Sequence, residues 1–157
     1  MSVERNLVQD HRQQAPAYHA LRVINPEHLT PAEKIPGLRE AEVVGSGTLG
    51  AEHLWVAHIV VAPGVGVSPV HHHGEGEAVF YVLHGRVTFF FGQGLCQRVD
   101  VYPGDFIFIP AWAIHAEANL GDEGAGMIGI RSTPEPSMFM VPEARVPAEL
   151  VHADARI

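Results

Sequence analysis

The histidines of this chain are the side chains best suited by type and spacing to do chemistry. His71, His72 and His73 stand in a row, and His115 closes the run Gly104-Asp105-Phe106-Ile107-Phe108-Ile109-Pro110-Ala111-Trp112-Ala113-Ile114-His115. On a β-strand, residues two apart share a face, so His71 and His73 point together while His72 points away. Two imidazoles from one strand, joined by a third from a neighbouring strand, make most of a site for a first-row transition metal. Neutral imidazole suits Fe, Mn, Ni, Cu and Zn, and an added carboxylate oxygen shifts preference toward iron and manganese. Because metal-ligand spacing recurs in two places, one divalent transition metal per chain is expected rather than three unrelated polar strand residues.

Strands must position these rings, and the chain supplies them. Short β-rich runs cover Leu54 to Val61, Val67 to His73, Ala78 to Leu83, Val87 to Phe91 and Leu95 to Val101. Phe106 to Ile109, His115 to Asn119 and Gly126 to Arg131 follow, with Met138 to Val141 as a further edge. Turn signals separate them, among them Pro63-Gly64, His84-Gly85, Gly92-Gln93-Gly94 and Pro103-Gly104-Asp105. No amphipathic helix intervenes, so the expectation is all-β: an antiparallel sandwich or jelly-roll barrel rather than βαβ units. Residues 1–45 are polar and broken by Pro16, Pro26, Pro31 and Pro36, and read as an N-terminal arm with little core of its own. Asn25 and Thr30, each followed by proline, are expected to start helical turns. Residues 46–141 form the barrel, and 142–157 a polar tail with a short helix near Pro147.

Composition narrows the function. At 157 residues the chain is expected to be one domain, and a formal charge of −8 with a single lysine, Lys34, makes nucleic acid and anionic membranes poor partners. No apolar run approaches the ~20 residues of a spanning helix, and the N-terminus lacks the apolar core of a signal peptide. One cysteine, Cys96, excludes an internal disulfide and reads as a small buried strand residue, so a reducing, cytoplasmic setting is expected.

The barrel region resembles the cupins, whose motifs read G-x5-H-x-H-x3/4-E-x6-G and G-x5-P-x-G-x2-H-x3-N. Gly104, Pro110, His115 and Asn119 fall in register with the second, and Trp112 replaces its middle glycine. In the first, His71 and His73 supply H-x-H, and Tyr81-Val82-Leu83-His84-Gly85 resembles the closing segment. The resemblance implies a double-stranded β-helix, or jelly roll, with His71, His73 and His115 as metal ligands. It leaves the acid ligand open. Glu77 has an accepted spacing after His73 and is the favoured candidate, but counting back from Gly85 puts the family's carboxylate at Ala78. Glu75 alternates with His71 and His73, and a site of three histidines plus water is the third possibility.

Other residues have possible roles around such a centre. His58 lies in Leu54-Trp55-Val56-Ala57-His58-Ile59-Val60 and is a candidate acid/base if its face lines the barrel, against the blander reading of a core histidine. Trp112 and Phe80 are candidate substrate walls, suited to a flat apolar molecule. Arg131 is a cation able to pair with a substrate carboxylate, as is Arg86. His72 and His84 are expected outside the metal's reach. The implied function is a metal-dependent enzyme acting on a small organic molecule, foremost an O2-dependent dioxygenase. Non-oxidative chemistry with Zn, Mn or Ni (isomerase, cyclase, lyase or hydrolase) and non-catalytic binding are the alternatives. A homodimer is expected, with the N-terminal arm covering an edge strand.

Overall fold

A computed structural model describes residues 21–135 and 137–152. The chain is all-β, with eleven strands among the described residues. They are β1 (Ala32–Ile35), β2 (Leu38–Val44), β3 (Trp55–Val61), β4 (His71–His72), β5 (Ala78–His84) and β6 (Val87–Phe91). Then come β7 (Gln97–Val101), β8 (Phe106–Ile109), β9 (Ala116–Ala118), β10 (Ala125–Arg131) and β11 (Phe139–Met140). One sheet runs in the order β1-β2-β3-β10-β5-β8; a second holds β7-β6-β9, and β11 pairs with β4. All of the pairings are antiparallel.

Alternation along the strands decides what faces inward. In β3, Trp55, Ala57, Ile59 and Val61 are buried, and in β5 so are Ala78, Phe80 and Val82. These pack against Val87, Phe89 and Val101 of the facing sheet in one apolar cluster. Trp55, Phe90 and Met127 are wholly buried, each worth roughly 1.5–3 kcal/mol relative to exposure. Packing of sheet on sheet therefore holds the barrel. Asn119 fastens one end. It is fully buried, its amide donates to Val61 O, Ala62 O and Glu123 O, and its carbonyl oxygen accepts from Gly121 N.

Three sequence expectations change. Residues 32–44 are a hairpin that extends the main sheet, with Leu38, Glu40 and Ala41 buried, so this part of the supposed arm belongs to the barrel. Pro36-Gly37 makes its turn, with Gly37 at φ 83°. Asn25 does cap a 3-10 turn over Pro26–His28, but a strand follows Pro31 where a second helical turn was expected. Cys96 is exposed beside the turn before β7, not buried in a strand. Residues 1–20 of the expected arm lie outside the described residues. Among the described residues no helix is long and apolar enough to cross a membrane.

Candidate metal centre

The short strand β4 exists because its edges are occupied. His71 and His72 pair with Met140 and Phe139 of β11 on one side. On the other, His71 and His115 exchange backbone hydrogen bonds, His71 N to His115 O at 3.0 Å and His115 N to His71 O at 2.9 Å. That reciprocal pair puts the two side chains on one face. His73, two residues on, joins them. Ring centroids lie 4.4 Å apart for His71 and His115, 5.1 Å for His71 and His73, and 5.0 Å for His73 and His115.

Each ring is held in one tautomer. Nδ1 of His71 donates to Pro69 O at 2.8 Å, that of His73 to Ser137 O at 2.9 Å, and that of His115 to Ala113 O at 2.9 Å. A carbonyl only accepts, so Nδ1 carries the hydrogen and Nε2 keeps its lone pair. The rings are 2%, 2% and 3% exposed, and one ligand atom from each lies within 4.8 Å of the others. His73 Nε2 is buried with no hydrogen-bond partner. Three converging lone pairs, one plainly orphaned, fit a divalent cation bound by neutral imidazoles, with backbone carbonyls orienting the ligands from behind. Burial, helped by the Arg131 cation, lowers the His73 pKa from 6.5 to about 3, and burial lowers that of His115 as well.

The carboxylate expected at Glu77 is not in this cluster. Glu77 is exposed; its N–H donates to Ser132 Oγ and its carbonyl accepts from Ser132 N. The reason is parity: Ala78, Phe80 and Val82 alternate inward without a break, which turns Glu77 outward. β5 does carry an irregularity, but between Val82 and His84, too late to rotate Glu77. Glu75 is exposed too. Among the described residues, the cluster consists of three histidines.

At Ala78, where the family pattern puts an acid, the cross-strand neighbour is Arg131. Arg131 is 3% exposed, stacks 4.3 Å over the Trp55 ring, and has Nε and Nη1 without partners. Burial pushes its pKa down while Glu40 and Glu117 push it back up. Arg131, Phe80, Phe89, Glu40, Glu117 and His71 share a cavity of about 190 Å³ between the sheets. Phe80 packs against Phe89 with centroids 5.9 Å apart.

The remaining candidates separate. His58 sits in β3 opposite Ala41 and Ile128, on the face away from Trp55 and Ile59, so the structure removes it from the barrel interior and from an acid/base role there. His72 accepts from Gly74 N and stacks on Phe139, and His84 is exposed. Arg86 approaches Asp100 at 3.6 Å, away from the histidines. Trp112 is 60% exposed, and its N–H donates to Gly74 O at 2.7 Å. Its φ is 64°, the left-handed region that a glycine in the family pattern would fill without strain. Two cavity acids escaped the sequence reading. Glu117 alternates with His115 and was legible on that ground; its Oε2 is buried without a partner. Glu40, paired to Lys34 at 3.3 Å, became visible only with the β1–β2 hairpin.

Residues 57–130 match the family model described as a cupin domain, and the chain belongs to the cupins. It is 30% identical over 118 residues to germin-like protein subfamily 1 member 4 of Arabidopsis thaliana, covering 71% of this chain and 47% of that protein. Germin-like protein 5-1 of Oryza sativa subsp. japonica is 32% identical over 123 residues, 71% of this chain and 49% of the relative. The chain thus spans about half the length of these relatives. The polyketide cyclase RemF from Streptomyces resistomycificus superposes with a TM-score of 0.67 at 20% identity, over 85% of this chain and 94% of its own. The formate complex of Lactobacillus farciminis oxalate decarboxylase gives 0.63 at 23% identity, over 73% of this chain and 34% of that one. At these identities the structural likeness establishes the fold.

Proposed function

We propose that the protein is a metal-dependent enzyme acting on a small organic acid, with His71, His73 and His115 holding one divalent transition ion and Arg131 receiving the substrate carboxylate. The observation that carries this is the buried guanidinium, which keeps Nε and Nη1 unpaired inside the cavity that also reaches His71. A buried cation with free donors is costly unless an anion completes it. Ala78, small and fully buried beside Arg131, offers these donors no acceptor, and Glu40 and Glu117 favour the cation without bonding to Nε or Nη1. A substrate carboxylate then gives the unpaired guanidinium donors the acceptor that Glu40 and Glu117 do not supply, and so orients the acid end.

The chain's own residues bind and shield. Backbone carbonyls hold the three rings, Arg131 orients the acid end, and Phe80, Phe89, Ile59 and Met127 keep water from the cavity. When bound, the ion would polarise a substrate oxygen, or with iron activate O2. The dioxygenase reading rests on the ligand chemistry alone, whereas likeness in fold to a decarboxylase and a cyclase supports a barrel that also admits non-oxidative reactions. The test loads the full chain with Fe(II), Mn(II), Ni(II) or Zn(II) and titrates each form with acetate and oxalate. Arg131→Met is expected to weaken binding of both acids at least tenfold at unchanged metal content; equal affinity would defeat the proposal. Any turnover found is then compared in air and without oxygen, and only the O2-dependent reading requires loss of activity under nitrogen.

A further inference from the structure

A larger space borders one of the same histidines. It is a groove of about 680 Å³ running between β7 and β8, the terminal strands of their sheets, and His115 is among its lining residues. Phe91, Val99, Phe106, Phe108, Trp112 and Ile114 line it and are between 37% and 70% exposed. Apolar surface gathered in one concavity marks a place where something binds. Its buried lining, Phe89, Val101 and Ile109, would stay unfilled beneath a flat protein interface, whereas a planar molecule would reach it. Trp112 adds a second sign. A bulky residue at φ 64° is an outlier, and such strain persists where the side chain it presents is needed.

We infer that this groove binds the flat apolar body of the substrate, so that the substrate is an aromatic or similarly conjugated acid rather than a diacid of a few atoms. The inference rests on the proposed role of the histidines and Arg131 at the acid end. The sizes agree with that division. The inner cavity of about 190 Å³ suits a head group, while the groove of about 680 Å³ falls in the ~300–1,000 Å³ range of pockets that enclose whole small molecules. The two spaces border the same cluster: His71 lines one and His115 the other, and Phe89 lines both.

The test titrates the metal-loaded full chain with 2-naphthoate and with acetate by calorimetry, alongside elemental analysis. The naphthoate is expected to bind at least tenfold more tightly. Trp112→Gly and Phe108→Ser should each cut that affinity tenfold or more, with metal content and acetate affinity unchanged. Naphthoate binding no tighter than acetate, or indifferent to both substitutions, would overturn the inference. So would self-association in the ultracentrifuge that both substitutions abolish, which would assign the groove to a second copy. Failure at the acid end reads differently: Arg131→Met would leave acetate affinity intact, while naphthoate still responded to Trp112→Gly.

Discussion

At the residue scale, the proposed metal site depends on three Nδ1–H groups that each face a backbone carbonyl. Replacing any one ring removes a ligand and leaves a two-point site, so His71→Ala, His73→Ala and His115→Ala should each lose stoichiometric metal by elemental analysis. Glu77→Ala should retain it, because that carboxylate is exposed and outside the cluster. Trp112→Gly has an opposite sign for stability. It relieves roughly 1–2 kcal/mol of left-handed strain against the loss of a ring already 60% exposed. The urea midpoint should therefore hold or rise, and a fall would mean that the ring packs more firmly than its exposure implies. The clustering of His71, His73 and His115 was legible from type and spacing because strand parity is rigid. Arg131's situation was not, since its burial depends on Trp55 and Ala78 of neighbouring strands, which only the folded register brings beside it.

At the element scale, turns and one clamp position everything else. Gly85 ends β5 at φ 73°, and a Cβ there would collide with Gly124 O and lie 2.6 Å from Ala125 Cα. Neither is a flexible side-chain end, so Gly85→Ala should cost more than ~2 kcal/mol in urea unfolding. Asn119→Ala would strand the acceptors Val61 O, Ala62 O and Glu123 O, at a cost of roughly 2–4 kcal/mol, without touching a ring of the cluster. Unfolding and metal content measured together separate this structural role from ligation. Apolar runs with glycine or proline punctuating their ends, such as β6 and β8, are readable to the residue. The run before the histidines was not: only His71–His72 is strand, since β4 is defined by partners distant in sequence, Met140 and Phe139 of β11 and His115. The β1–β2 hairpin is hidden in the sequence because Pro36 reads as one more break in a polar arm, although Ile35 and Leu38 flank Pro36-Gly37 as a turn requires.

At the scale of the whole molecule, the apolar contact between sheets carries the fold, and a bound ion would add to it. Chelation should leave the β-sheet circular dichroism in place and lower stability by the binding linkage, about 2.7 kcal/mol where free metal had stood at 100 times its dissociation constant. Protons act on the metal-free chain in a definite direction. His73 titrates near 3 when folded and near 6.5 when unfolded, and His115 is shifted the same way. A depressed folded pKa means the unfolded chain takes up more protons between those values. The contribution is thus whole above about 6.5 and lost as pH falls toward 3. Urea midpoints of the full metal-free chain should decline across that window, and a flat profile would show that the rings are wetter than their burial indicates.

The same anchoring of the rings has a consequence for ion exchange. Hydronium is an inefficient competitor for a nitrogen that is desolvated and already neutral, so His73 stays available in mildly acidic surroundings that would protonate an ordinary histidine, and burial shifts His115 the same way. Removal of the ion then depends on chelators able to reach it, and its lifetime on how fast they pass the mouths of the barrel.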